Sequence, residues 1–451
     1  MENRKVYIII LVASFGYFVD AVDLIVASLV RAESIISLGL HSDTALLSSL
    51  GIDLSSLRAD VTERLTSLGQ ELSSELVDAG VQSSVVKLIG LELEKWQTWG
   101  LLLGGIMFGI LGDRIGRTKA LYGSIFLYSI STLLNGLLQP NWGNTYLLYC
   151  SFRFLSGFGL AAEMGAAITL VSETMKKGKR GIGSAYVASI GLLGCVFAAG
   201  LIQFADLNWR YLFIIGGVLG LVLLLLRTQT EESPIYNAQK SSSIKRGDFI
   251  SLFTKWDRFK RLLICVTIGL PTYYVIGLPT KFAANFANEL NIEGLSFPII
   301  IMTFYIAMSL SDIVCNTLSQ ILRSRKKMFF IYNSFSLIAV LVFTIYPPQS
   351  AWQYHYVYCP MLGLSIGYWA LLITTASESF GTNLRATVTT VVPNFIRSTF
   401  IPIAYLFGIL NTYFNSLLAG GVIGVICSVI AIVATTQLKE TFGRDLNFVE
   451  K

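Results

Sequence analysis

Two carboxylates, Asp20 and Asp23, interrupt an apolar run, VASFGYFVDAVDLIVASLV at residues 12–30. An ionised group at mid-bilayer costs about 2.5–3.5 kcal/mol on insertion scales, so such acids face a cavity, a partner or a travelling ion. Glu163, in RFLSGFGLAAEMGAAITLVSE (153–173), raises the same question, and Arg397, in VVPNFIRSTFIP (391–402), brings the opposite charge to similar depth. An acid shielded from water favours its neutral form and can load a proton on one side of a membrane and release it on the other. Asp20, Asp23 and Glu163 are therefore the candidates for proton coupling. Asp23 lies close to the face of Asp20 and has a second reading, a structural salt bridge to Arg153. Arg397 keeps its charge, and its planar fork suits a carboxylate or phosphate. The alternative for Arg397 is that it only neutralises Asp20 or Glu163. Asn394, one turn earlier on the same face, offers a directional hydrogen bond.

The stretch GLPTYYVIGLPT (269–280) sets two prolines around Tyr273 and Tyr274. Proline removes a backbone donor and bends a helix, and a broken helix at membrane depth borders a cavity or a gate. Tyr273, Tyr274, Tyr368 and Trp369 are expected to line a path for a solute, with packing between helices as the bland reading. Asp312 is one more acid inside an apolar run and fits an inner gate equally well.

What positions these residues is a membrane. The 451 residues are 53% hydrophobic and 14% charged, with mean hydropathy +0.63, which excludes an ordinary soluble domain. A hydrocarbon core takes roughly 20 helical residues to cross. Runs of that kind stand near 6–30, 96–112, 120–138, 146–171, 182–204, 209–227, 262–285, 298–320, 328–346, 354–377, 387–411 and 416–436, numbered here as spans 1 to 12. Span 1 follows basic residues but holds two acids and no small-residue cleavage site, so it reads as retained rather than as a signal peptide. Six cysteines fall in apolar runs without paired spacing, and His41 and His355 lie at membrane edges. No metal, disulfide framework or cofactor is expected.

Net charge +6 does not signal nucleic acid. KKGKR (176–180), residues 240–261 and RSRKK (323–327) share one side if the spans alternate, while loops 138–145 and 347–351 hold no Lys or Arg. Basic loops stay in the cytoplasm, so both termini are expected there. Residues 35–90 form an insertion on the other side; counted from Arg31 to Gly90 it holds eight acids against four bases. Leu50, Leu54, Leu57, Val61, Leu65, Leu68, Leu72 and Leu76 step by three and four, predicting one apolar helix face punctuated by Gly51, Gly69 and Gly80. The polar stretch 228–260 joins two halves, 1–227 and 261–451. Their duplication is visible: Ser172-Glu173 precedes Arg180 as Ser377-Glu378 precedes Arg385, both offsets being 205 (378 − 173 and 385 − 180). Repeated halves with substrate bound between them mark secondary transporters.

After span 2, GILGDRIGRTK (109–119) resembles the loop 2–3 signature of the major facilitator superfamily at Gly109, Asp113, Arg114, Gly116, Arg117 and Lys119. Span 4, with Arg153, Gly157, Gly159 and Glu163, resembles the sugar-porter, phosphate:proton and metabolite:proton branches. So do WRYLF (209–213) and ESPIY (232–236), and the paired acids Asp20 and Asp23 match the D-x-x-D of the last two branches. The resemblance implies an all-α membrane protein with twelve transmembrane helices in two six-helix bundles. It also implies spans 1, 4 and 11 around a central cavity, and a charge relay closing the cytoplasmic side. That relay would use Asp113, Arg114, Arg117, Glu173, Arg180, Glu378 and Arg385, with Arg153 and Asp312 as further gating candidates. The second-half counterpart, LSQILRSRKK (318–327), carries Gln320 where an acid is expected.

The function this implies is a proton-coupled symporter in a plasma or bacterial inner membrane, importing a small polar metabolite, an organic or phosphorylated anion, and working as a monomer. A sugar or polyol porter is the rival reading. An exporter fits less well, because span 5 lacks the glycine-proline motif of drug antiporters, and a transporter-like receptor is the reading from another class. The partners are a small-molecule substrate, protons and membrane lipid, with no nucleic acid. No nucleophile–base pair, metal cluster or phosphate-binding loop suggests an enzyme.

Overall fold

The computed structural model describes residues 2–67, 73–175, 180–205, 207–227, 232 and 246–450, and these contain helices and no strand. Among the described residues twelve helices are long and apolar enough to cross a membrane. They are Tyr7–Leu29, Ser74–Ile115, Arg117–Leu137, Thr145–Thr174, Arg180–Ala205, Trp209–Arg227, Trp256–Lys281, Phe297–Ile321, Arg325–Ile345, Ala351–Ser379, Arg385–Leu410 and Ser416–Gln437. The protein is an all-α, multi-pass membrane protein. In lipid every backbone group needs an internal partner, which leaves helices as the spanning form for such runs. Short polar side chains open several of them: Ser73, Asn144, Ser324 and Asn415 each accept a hydrogen bond from the backbone three residues on.

Within the first half, span 1 packs on span 5, span 2 on span 4 and span 3 on span 6; within the second, span 8 packs on span 10 and span 9 on span 12. Span 2 also packs along span 11, and span 5 along span 8. Under the 205-residue repeat span 2 corresponds to span 8 and span 5 to span 11, so the halves meet through one contact made twice. Small residues let backbones approach there: a Cβ on Gly165 of span 4 would stand 2.6 Å from Thr390 Cα of span 11, and one on Gly109 of span 2 would stand 2.9 Å from Thr387 Cα.

Spans 4, 7, 10 and 11 are broken. Span 4 turns at 161–162 and restarts as Glu163–Thr174, and span 10 turns at 366–368 and restarts as Trp369–Ser379. The restarts lie 206 residues apart (369 − 163), one away from the repeat. Span 7 turns at Gly269 and closes with a wide turn, Ile276–Lys281, around Pro279.

The insertion differs from its expected form. Helices Arg31–Ser37, Thr44–Ser49 and Leu54–Ser67 make the cap, but from Ser74 the chain already belongs to the 42-residue helix of span 2, about 63 Å long at 1.5 Å per residue. The single leucine face is therefore split. Leu54, Leu57, Val61 and Leu65 share one helix, Leu50 ends the one before it at Gly51 (φ 68°), and Leu76 rides on span 2. Gly80 does not punctuate; it sits inside the span 2 helix where a Cβ would come within 2.6 Å of Val61 Cγ1. Leu68, Gly69, Leu72, Lys176–Lys179 and Ser241–Ser243 lie outside the described residues.

Candidate functional site

Three layers of polar groups follow one another from the cap end to the far end. Nearest the cap, Glu94 of span 2 accepts from Arg31, at 2.7 Å, and from Lys281 of span 7, tying the two halves together. Lys87 reaches Asn285 at 2.9 Å beside it.

Beneath this bridge lies a cavity between the halves, lined by Tyr17, Gln97, Tyr273, Tyr305, Trp369 and Arg397 among others. Arg397 is fixed from two sides: its Nε donates to Tyr273 Oη at 3.2 Å and one Nη to Asn394 Oδ1 at 3.1 Å. Asn394 Nδ2 in turn donates to the Ala161 carbonyl at 2.9 Å, at the break in span 4. Trp369 Nε1 donates to Tyr17 Oη at 3.2 Å. The rings of Tyr273 and Trp369 stand 5.9 Å apart. Tyr274 and Tyr368 do not line this space. Tyr274 sits against Gly424 of span 12, while Tyr368 donates to the Ile268 carbonyl at 3.0 Å and meets Phe329 and Tyr332 edge-on. A helix turns about 100° per residue, so Tyr273 points into the cavity while Tyr274 points toward span 12.

Behind the cavity wall stand the acids of the first half. Glu163 opens the second segment of span 4 and pairs with Arg227 from the last turn of span 6, both buried. Gly16 of span 1 makes room for this pair, since a Cβ there would collide with the Glu163 carboxylate and Arg227. Asp23 accepts from Ser156 at 2.5 Å and Thr132 at 2.7 Å, so hydroxyls rather than Arg153 satisfy it. Asp20 is 0% exposed, and neither of its oxygens has a hydrogen-bond partner among the described residues. Arg397, Glu163, Asp23 and Arg227 are its electrostatic neighbours.

At the far end the halves are closed over one another. Asp113 accepts from the backbone of Ala386 (3.1 Å) and Thr387 (2.9 Å) and from the Thr387 hydroxyl (2.7 Å), capping the first turn of span 11. Glu173 takes Arg117 at 3.1 Å from its own half and Arg385 at 2.9 Å from the other. In the second half Arg325 pairs with Glu378 at 3.1 Å. Arg180 donates to the Arg444 carbonyl at 3.0 Å, and Arg114 Nε to the Arg246 carbonyl at 3.4 Å. Residues 438–450 strap this end: Arg385 donates to the Leu446 carbonyl, Thr382 to the Phe448 carbonyl, and Arg261 holds the Glu450 carboxylate at 2.9 and 3.1 Å.

Two gating candidates stand elsewhere. Asp312 accepts from Ala370 N–H at 3.1 Å and Asn316 at 3.2 Å; it caps the restart of span 10, whose freed amide needs an acceptor. Arg153 lies in the cap-side half of span 4, away from Asp113 and Glu173, with its guanidinium 5.5 Å from the centre of the Phe213 ring. Arg31, Glu94, Gln97, Arg227, Lys281, Tyr17 and Tyr305 were not singled out from the sequence. Glu94 falls two residues before the apolar window of span 2, and Arg227 reads as an ordinary basic stop after LLLL.

Residues 96–398 match the profile of the Major Facilitator Superfamily. The inner membrane metabolite transport protein YhjE of Escherichia coli (strain K12) is 29% identical over 261 residues, covering 53% of this chain and 59% of that protein. A putative proline/betaine transporter of Staphylococcus haemolyticus (strain JCSC1435) is 36% identical over 203 residues, 38% of this chain and 42% of that one. The chain thus spans about half the length of the curated relatives it matches. In fold it is similar to the proton:xylose symporter XylE bound to 6-bromo-6-deoxy-D-glucose, with TM-score 0.69 at 16% identity, covering 99% of this chain and 98% of that one. These relatives are transporters and not enzymes. With about two thirds of its length matched by the family profile, the chain belongs to the Major Facilitator Superfamily.

Proposed function

We propose that the protein is a proton-coupled symporter that imports a small polar metabolite bearing an anionic group by alternating access. The observation that carries this reading is Asp20: a carboxyl excluded from water, without a donor among the described residues, in the field of the cavity arginine. An ionised carboxylate left so would be expensive. The geometry suits the neutral acid, and a proton arriving with the solute supplies it. Glu163, held by Arg227, is the ionised counterpart rather than a second carrier. Arg397, oriented by Tyr273 and Asn394, takes the anionic group of the solute.

The basic loops support a cytoplasmic far end, and with it cytoplasmic termini; on that reading the conformation described is closed on the inside. Opening toward the cytoplasm requires the contacts of Asp113 and Glu173 with span 11 to part and the Glu94–Lys281 bridge to tighten around an emptied cavity. Each proton entering adds about 2.3 kcal/mol per 100 mV of inside-negative potential, and each negative charge on the solute offsets the same amount, so one proton with a monovalent anion is driven by the pH gradient alone.

A second reading of the substrate is a zwitterion. The rings of Tyr17, Tyr273, Tyr305 and Trp369 around the cavity suit a cationic head while Arg397 takes its carboxylate, in keeping with the proline/betaine names of relatives. Uptake into proteoliposomes under an inward proton gradient tests both. Acid-driven accumulation of an anionic or zwitterionic solute is expected, and Asp20→Asn is expected to abolish it while leaving solute exchange intact. Undiminished acid-driven accumulation by Asp20→Asn sinks the coupling scheme; an absence of any uptake favours a receptor.

A further inference from the structure

A second, smaller cavity lies between spans 1, 2 and 4 on the cap side, lined by Arg31, Glu94, Gln97, Tyr149 and Arg153. Its polar wall is unbalanced. Arg153 is 2% exposed and both of its terminal nitrogens lack an acceptor among the described residues; Gln97 is 6% exposed and its Nε2 lacks one too. Arg31 adds a second positive charge, and the one carboxylate present, Glu94, is already shared between Arg31 and Lys281. Asp23, deeper in the same bundle, spends its oxygens on Thr132 and Ser156. Donors therefore converge on a space whose other polar groups, the Ser28 and Tyr149 hydroxyls, bring no charge, and a buried guanidinium without a counter-charge is costly. Water supplies lone pairs but no charge. The space holds little more than about one water-sized sphere, which suits a small ion better than phosphate, sulfate or an organic acid.

We infer that the cavity formed by Arg153, Gln97 and Arg31 binds one small monovalent inorganic anion of halide size. The ion neutralises Arg153 from its edge while Phe213 covers its face. It also shares Glu94 and Gln97 with the central cavity, so its presence stiffens the wall that holds Lys281 across the halves. This site stands independently of the transport reading, because its occupancy is measurable without transport.

The test uses the purified full chain in detergent at constant ionic strength, with sodium gluconate replaced stepwise by sodium chloride. The thermal unfolding midpoint is expected to rise and saturate, with bromide substituting for chloride and sulfate giving no rise. Gln97→Leu and Arg153→Gln are each expected to raise the half-saturating chloride concentration at least tenfold. A bromide-soaked crystal is expected to show anomalous density between Arg153 and Gln97. A wild-type midpoint that follows gluconate and chloride alike overturns the proposal, as does an unchanged chloride response in Gln97→Leu. A response to formate without one to chloride also overturns it and assigns the cavity to the carboxylate of the solute. If Arg153→Gln fails to fold, Gln97→Leu and the bromide density decide.

Discussion

Replacing Glu163 by Gln removes the carboxylate that pairs with Arg227, which is 1% exposed in the interior of the first bundle. Breaking a buried ion pair from one side costs about 3–5 kcal/mol, whereas replacing both partners by apolar groups of similar volume is close to neutral or stabilising. For a bundle of some 220 residues each kcal/mol moves the unfolding midpoint by about 2–4 °C, so Glu163→Gln is expected to lower it by about 6–20 °C. Arg227→Met alone is expected to cost a similar amount, and the Glu163→Gln/Arg227→Met double variant to return close to wild type. The six buried free cysteines provide the readout: a thiol-reactive fluorophore reports their exposure during heating. Mass spectrometry of the labelled chain is expected to find Cys150 and Cys195, in the weakened half, modified before Cys265, Cys315, Cys359 and Cys427. A double variant no more stable than the worse single one refutes the reasoning, because then the two charges do not hold each other. The same outcome would reopen Glu163 as a freely titrating proton carrier.

Further outcomes follow from other contacts. Gly16→Ala places a methyl group against the Glu163–Arg227 pair and is expected to destabilise the first bundle about as much as Glu163→Gln in the same thiol assay. Arg397→Ala is expected to lower uptake of an anionic solute at least a hundredfold, with Tyr273→Phe, which loses one hydrogen bond to Arg397, costing nearer tenfold (about 1.4 kcal/mol); equal losses would argue against Tyr273 as the orienting group. Gly165→Ala is expected to spread spans 4 and 11 at the far end, read as faster labelling of single cysteines placed beneath Asp113. Burial pushes the Glu450 carboxyl up, but the hydrogen bonds and charge of Arg261, the Gly381 amide and Arg258 outweigh it and hold it below the usual glutamate range. Its contribution is therefore complete above that range and lost as pH falls through the lower folded value. Hydrogen exchange of residues 438–450 is expected to stay slow at pH 5–7 and to quicken only below about pH 4.3, and Arg261→Gln is expected to move that transition upward.

The bundle was legible in the sequence because lipid imposes a crude rule, some twenty uncharged residues per crossing, and because the Ser-Glu/Arg repeat marks the duplication. The far-end residues Asp113, Arg117, Glu173, Glu378 and Arg385 were legible as a set, though not their partners: Asp113 answers backbone amides of Ala386 and Thr387, which no side-chain pattern announces. Span 4 breaks at 161–162 without a proline, so nothing local foretold that Glu163 would begin a helix segment. Its partner Arg227 is 64 residues away in the chain and looks like a topological stop. Tyr273 and Tyr274 were indistinguishable by type; only the packing of span 12 against one of them separates their roles. Asp23 shows the same limit, since the hydroxyls of Thr132 and Ser156 that satisfy it come from two other spans.

At the far end an ion pair crosses between the halves, Arg385 on Glu173. The first half carries Asp113 and Glu173 with Arg117 and Arg180, and in the second Glu378 keeps Arg325 while Arg385, besides Glu173, donates to the Ser377 and Leu446 carbonyls. When the seam parts, the Glu173–Arg385 pair separates along with the amide and hydroxyl contacts of Asp113, so opposite charges are drawn away from one another. Movement of the polypeptide therefore adds its own transient to any current recorded across a membrane that holds this protein.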